Sequence, residues 1–322
     1  MLLDIQETSS LIRQGKLLHI AGNQTLLQDL PQGNWIGGTT DYFMSQDGGV
    51  VSAEKLFVHE LPAKSFIIES YTASEIARLT KDTFSNGYSL IILPFDSDVH
   101  REFAKNAASF EDIFLKNVVG WVSGVNLNVP NTYAMSFSGI SGKHYPDQAV
   151  VLHVELEASQ TATLGIINIF HEDPNSPVFE FPERDDPFTV DACLVDGKEV
   201  VFSQYLAQQN LNTQLPLIGD YSGIGINASI KEIVGDIVYM YAPLFSGISY
   251  RLPRGISDYA SDFRSHLEEI GEVTAVFSCN CILNFLYGEL EGKQVGAFLG
   301  PITFGEVAYQ LVNQTLVYLA IS

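Results

Sequence analysis

Cys279 and Cys281 stand one residue apart where an apolar run ends and an amphipathic one begins, in VTAVFSCNCILNFLYGEL. A thiol at the N-terminus of a helix meets unpaired N–H groups and a partial positive charge, which lower its pKa and favour the nucleophilic thiolate. Cysteine is equally a small apolar residue suited to a core. The pair therefore reads either as the nucleophile of a hydrolase-like enzyme or as packing. No metal site is expected. Structural zinc takes about four ligands from paired Cys or His motifs, and a single Cys-x-Cys has no second pair here.

Two glycine-rich corners carry hydroxyls. In GNWIGGTTDYF (33–43), Gly37 and Gly38 admit close approach of a ligand or a neighbouring backbone, and Thr39 and Thr40 supply O–H groups. In GPITFGEVAYQLV (300–312), Thr303, Phe304, Gly305 and Glu306 form a second corner. Glu306 is expected to open a helix, where an acid suits the dipole or orients a ligand's amine. PFDSDVH places Asp96 and Asp98 after an apolar strand. That spacing is also how a haloacid-dehalogenase-type phosphatase presents carboxylates to Mg²⁺, but no later acidic motif follows, so helix capping is the reading. The seven histidines are scattered singly. His153, alternating with apolar residues in VVLHVEL, is the candidate axial ligand if haem is bound. GIGINA (223–228) matches a dinucleotide fingerprint but lies in an alternating strand-like run with no helix after it, so no nucleotide is expected there.

The elements that position these residues follow from periodicity. Helices are expected over 72–84, 96–107, 256–270 and 281–290, and strands over 89–95, 149–158, 273–278, 293–300 (KQVGAFLG) and the final TLVYLAI. A segment with four prolines and a dense acidic cluster, HEDPNSPVFEFPERDDP (171–187), interrupts the pattern and reads as a linker. The expected organisation is α+β: two related halves, 1–175 and 176–322, of sandwich-like build with mixed, largely antiparallel sheets. Val119-Gly120-x-x-x-Gly124 recurring as Val295-Gly296-x-x-x-Gly300 points to an internal duplication.

Composition narrows the function. Thirty-eight acidic against 17 basic side chains give a formal charge of −21. That field repels nucleic-acid backbones and anionic lipid surfaces. MLLDIQETSS lacks the basic and apolar segments of a signal peptide, no long apolar span occurs, and three cysteines are too few for a disulfide framework. A cytoplasmic protein is expected.

The run Cys279…Glu289…Val295-Gly296-Ala297-Phe298…Gly305-Glu306…Asn313-x-Thr315 resembles the C-terminal domain of FIST proteins. Gly37-Gly38-Thr39-Thr40 and Val119-Gly120 are similar to the FIST N-terminal domain. The usual Arg after the cysteine is missing, and Asp41-Tyr42 replaces a Gly-Glu. The resemblance implies an intracellular sensory module that holds a small, amino-acid-like ligand between its domains and signals to a separate protein. Some FIST members are haem-binding gas sensors. On this reading Gly37, Gly38, Thr39, Thr40, Thr303, Phe304, Gly305 and Glu306 line the ligand.

Overall fold

The computed structural model describes residues 1–256, 258–270 and 273–322. It is α+β, with 18% helix and 39% strand in several mixed sheets, none closed. The repetition runs further than paired halves: one arrangement occurs three times. The first copy comprises β1 (Leu2–Leu3), α1 (Ile5–Arg13), β2 (Leu18–Gly22), α2 (Gln24–Gln28), β3 (Trp35–Thr39), a hairpin of β4 (Tyr42–Ser45) and β5 (Gly48–Val51), and β6 (Leu56–Glu60). The second comprises β7 (Ser65–Tyr71), β8 (Gly87–Pro94), α3 (Asp98–Asn106), β9 (Val118–Ser123), a hairpin of β10 (Ser136–Ser138) and β11 (Lys143–Tyr145), and β12 (Ala149–Glu155).

The third copy begins with β13 (Ala162–Ile167) and is then interrupted by an inserted module. That module holds β14 (Phe179–Glu180), β15 (Thr189–Val190), β16 (Ala192–Val195), β17 (Lys198–Val201), α4 (Phe202–Gln208), β18 (Leu217–Tyr221), β19 (Ile224–Ala228), β20 (Ile230–Val234), β21 (Ile237–Met240) and β22 (Ser249–Arg251). The copy resumes with α5 (Tyr259–Ile270), β23 (Ala275–Cys281), α6 (Ile282–Tyr287), β24 (Gly300–Thr303), the hairpin β25 (Glu306–Ala308) and β26 (Gln310–Val312), and β27 (Leu316–Ile321).

In each copy four strands lie in the same order: β1-β6-β2-β3, β7-β12-β8-β9 and β13-β27-β23-β24. The last two strands of each set run parallel, and these are the three parallel ladders among the described strands. Each outer edge is then completed by another copy's hairpin: β10–β11 adds to β3, β25–β26 to β9, and β4–β5 to β24. The exchange is cyclic. The boundary expected near residue 175 does not separate the sheets, because β24 pairs with β4 and β25 with β9 across it.

Register fixes the equivalences. β3, β9 and β24 end in Thr39, Ser123 and Thr303. Gly120 and Gly300 occupy matching positions, and a Cβ on either would meet the neighbouring carbonyl of Ile91 or Ser278 at 1.9 Å. Gly120 therefore corresponds to Gly300, not to Gly296 as the sequence spacing implies. Three other expectations change. The 72–84 helix is a short 3-10 turn, Ile76–Thr80. The helix expected from Glu306 is the β25–β26 hairpin, turned at Tyr309 with φ 63° and drawn into a strand by the open edge of β9. The strand expected over 293–300 is mostly loop before β24. The helix expected over 256–270 appears as α5; Ser257 lies outside the described residues.

A buried polar chain ties the three copies. Trp121 Nε1 donates to His19 Nε2 at 2.8 Å. His19 Nδ1 must then carry its proton, 3.1 Å from His59 Nδ1, which leaves His59 Nε2–H for the Leu299 carbonyl at 3.2 Å. Burial, helped by the neighbouring His59, holds the His19 pKa well below the ordinary range, and burial takes His59 to about 3. His100 and His153 fall to about 4 for the same reason.

Two outcomes follow from this packing. Gly120→Ala should destabilise the protein by about 2 kcal/mol or more in urea denaturation, whereas Gly255→Ala, with open space around it, should be near neutral. The unfolded chain protonates its histidines below pH ~6.5 while these four resist, so their stabilisation is present above that value and lost as pH falls towards 4. Each contributes a slope of about 1.4 kcal/mol per pH unit. The urea midpoint should drop steeply between pH 6.5 and 4; a flat midpoint over that window would contradict the assignment.

Candidate functional site

The two glycine corners meet at the centre of the fold, but they touch each other directly. Thr40 Oγ1 donates to the Ile302 carbonyl at 2.8 Å, Thr39 Oγ1 to Gly124 O at 2.7 Å, and Phe304 N–H to Val122 O at 3.0 Å. Gly37 and Gly38 make room for protein: a Cβ on Gly37 would meet Ile20 O at 2.9 Å, and one on Gly38 would meet Ile92 and Trp121. Phe304 fills the space over Gly124. Beside Thr39, Thr40 and Asp41 a cavity of about 50 Å³ remains.

Glu306 lies fully buried at the third corner, opposite Trp121. The matching residues of the other hairpins are Phe43, opposite Pro301, and Phe137, opposite Gly37. One copy thus places a carboxyl where two place a ring. Thr315 donates its N–H and O–H to Glu306 Oε2 at 3.3 and 2.9 Å. Thr303 Oγ1 lies 2.9 Å from Oε1 and 3.2 Å from Asn280 O, and its single proton cannot serve both. Burial raises the Glu306 pKa to about 8, against the hydrogen bonds from Thr315 and Thr303. A protonated Glu306 donates to Thr303, which frees the threonine proton for Asn280.

Cys279 and Cys281 are buried, and burial, with Glu306 nearby, pushes both thiols well above their ordinary pKa. Cys281 caps a helix of only six residues without a side-chain bond. This is the opposite of an activated thiolate. His153 has both ring nitrogens engaged, Nδ1 with Ser89 Oγ at 2.8 Å and Nε2 with Tyr71 Oη at 3.0 Å, and so has none free for haem iron. The helix after Asp96 is capped by Ser97, whose Oγ accepts from His100 N–H; Asp98 sits in its first turn and Asp96 takes φ 61°.

That left-handed turn opens on a cavity of about 230 Å³ between the second copy and the inserted module. Phe95, Asp96, His100 and Arg101 come from one side, and Asp186, Phe188, Lys231, Tyr239 and Tyr241 from the other. Aromatic faces hold the cations: the Arg101 guanidinium is 4.4 Å from the Phe188 ring centre, and Lys231 Nζ is 5.2 Å from that of Phe95. Arg101 Nη2 bonds Asp186 Oδ1 at 2.7 Å, while Lys231 Nζ lies 3.6 Å from Asp96. These pairs are partly exposed, worth about 1 kcal/mol or less each. His100 is buried, and its Nδ1 accepts from Asp96 N–H at 3.3 Å, so the proton sits on Nε2, which has no partner. Burial takes its pKa to about 4, so at neutral pH it is an uncharged donor. Phe95 also packs 5.3 Å from Phe304, which links this cavity to the central corners. A larger hollow of about 670 Å³ near Arg254 is lined mostly by exposed residues such as His171, Glu172 and Asp220.

A model of a family of unknown function, DUF6976, matches residues 3–322. The chain belongs to that family. No curated protein and no solved structure matches it. Among the described residues, no helix is long and apolar enough to cross a membrane, and no group of three or more His, Cys, Asp or Glu is placed to hold a metal.

Sequence reasoning did not pick out Arg101, Phe188, Lys231 or Tyr241, which lie up to 140 residues apart. The available signals were PFDSDVH and the acidic break containing Asp186.

Glu306→Gln preserves shape and every hydrogen bond of the protonated acid, so below pH ~4.5, where Glu306 is protonated in both states, it should change stability by less than about 1 kcal/mol. Glu306 binds its proton more tightly folded than unfolded; its contribution is full below pH ~4.5 and lost as pH rises towards 8. As pH goes from 5 to 8 the urea midpoint of Glu306→Gln should therefore rise relative to that of the wild type. Both cysteines should resist iodoacetamide until the protein unfolds.

Proposed function

We propose that this chain is a small-ligand-binding sensory protein whose site is the cavity between the second copy and the inserted module. The observation that carries the reading is His100: a buried donor with no partner, in the wall of a cavity that also holds two cations and four aromatic rings. Ligand pockets combine apolar walls with a few convergent polar groups. At about 230 Å³ the space suits a compact metabolite, below the roughly 300–1,000 Å³ of drug-sized sites.

The resemblance to FIST domains supports a sensory role. The site also keeps the expected relation of a ligand held between residues before and after 175, although it uses different side chains from the glycine corners. Binding there joins the inserted module to the rest of the molecule, and a change in that contact is the signal passed to a separate protein in the cytoplasm.

A thermal-shift screen of amino acids, small organic acids, amines and sugars tests this. A ligand at about a hundredfold its Kd should raise Tm by about 2–5 °C. The shift should vanish in an Arg101→Met, Lys231→Met double variant and persist in Thr40→Val. No shift across the panel, or one unaltered by the double variant, would sink the proposal.

A further inference from the structure

We infer that the ligand carries a carboxylate on a compact apolar or aromatic body, and that Asp186 is its internal competitor for Arg101. This rests on the cavity being the ligand site.

Arg101 is under-used. Its planar fork can bind a carboxylate through two parallel N–H bonds. Here Nη2 alone is bonded, to Asp186, and Nη1 comes no nearer than 4.0 Å to Asp96. Lys231 Nζ, 3.6 Å from Asp96 Oδ2, falls short of a hydrogen bond. His100 adds an N–H with no acceptor. Arg101 Nη1 and Lys231 Nζ, which line this cavity, and His100 Nε2–H, buried in its wall, therefore lack acceptor oxygens at hydrogen-bond distance. Asp96, Asp186 and Glu232 line the same space and disfavour a second anionic group on the ligand. Phe95, Phe188, Tyr239, Met240 and Tyr241 supply the wall for its apolar part.

Asp186 now fills one of those acceptor positions, and it does so weakly. Its side chain is 39% exposed and Arg101 is 31% exposed, a setting in which an ion pair contributes little. The same Oδ1 accepts from Phe188 N–H at 3.1 Å, and the Asp186 carbonyl accepts from Thr189, so the local turn has its own support. A ligand carboxylate that takes Arg101 in two-point fashion releases Asp186 without dismantling that turn. Asp186 closes the acidic, proline-rich segment 171–187, so its release loosens the tie between that segment and α3.

The experiment compares phenylacetate with phenylacetamide, which has the same ring and no charge, by isothermal titration. Wild type should bind phenylacetate about tenfold or more tighter than the amide. Asp186→Asn keeps an oxygen for Phe188 N–H and removes the competing charge. It should bind phenylacetate about two- to fivefold tighter than wild type, with no gain for the amide. Should the Asn variant be unstable, Asp186→Ser carries the same expectation. Equal binding of acid and amide, or an unchanged or weaker phenylacetate affinity in a folded Asp186 variant, overturns the inference. If amines or sugars bind in the cavity and carboxylates do not, the inference fails and the ligand site stands. If no compound of any class binds there, both fail.

Discussion

Each four-stranded sheet in this fold ends on a strand whose outer edge would leave buried backbone N–H and C=O groups unpaired. β3, β9 and β24 all lie in the interior, where an unpaired peptide group costs about as much as a lost hydrogen bond. The fold meets the requirement by exchange. Every copy extends the hairpin after its own edge strand onto the edge strand of another, and three such steps close the cycle. No copy completes its sheet alone. The corners between edge strand and hairpin are thereby pinned at the centre, which is why Gly37–Thr40 and Thr303–Glu306 spend their hydroxyls and small residues on one another. The Trp121–His19–His59–Leu299 chain crosses the same junction and adds a second tie among the three copies.

Chemistry then appears where the threefold pattern is broken. Glu306 replaces a phenylalanine of the other two hairpins and, buried and protonated, acts as a hydrogen-bonding core residue. The inserted module breaks the pattern more deeply, since it interrupts only the third copy and packs against the start of α3 in the second. A cavity with unlike walls forms there: helix turn, aromatic faces, two cations and an unsatisfied imidazole. The same turn in the first copy is capped by Asn23 and in the third by Cys281, and neither brings an Arg or His to an inserted partner. The candidate site is therefore a product of the insertion.

Much of the scaffold was legible in the sequence. The apolar runs SLIILPF and VTAVFS and the alternating VVLHVEL gave strands β8, β23 and β12, and the charged amphipathic DVHREFAKN gave α3. GIGINA, an alternating run with no helix after it, contains strand β19. The misses share a physical origin, which is that distant pairing overrides local preference. EVAYQLV has helical spacing, yet the open edge of β9 recruits it as a hairpin. The repeat was seen as twofold because Gly120 was matched to Gly296 when register places it with Gly300, and because the first copy is short while the third is split by the insertion. The glycine corners were recognised as places of close approach, but what approaches is Trp121, Ile92 and Phe304. The cavity could not be assembled from spacing, since Phe95, Asp186 and Lys231 share no local pattern.

A crystallographic soak with a library of small carboxylates, amines and neutral amides tests the central claim most directly, because it locates binding without assuming a ligand. The account expects fragments, carboxylates foremost, between Phe95, His100, Arg101, Lys231 and Tyr241. Fragments that gather at the Gly37–Thr40 and Thr303–Glu306 corners or in the hollow beside Arg254, with the cavity at Arg101 left unoccupied, would contradict it.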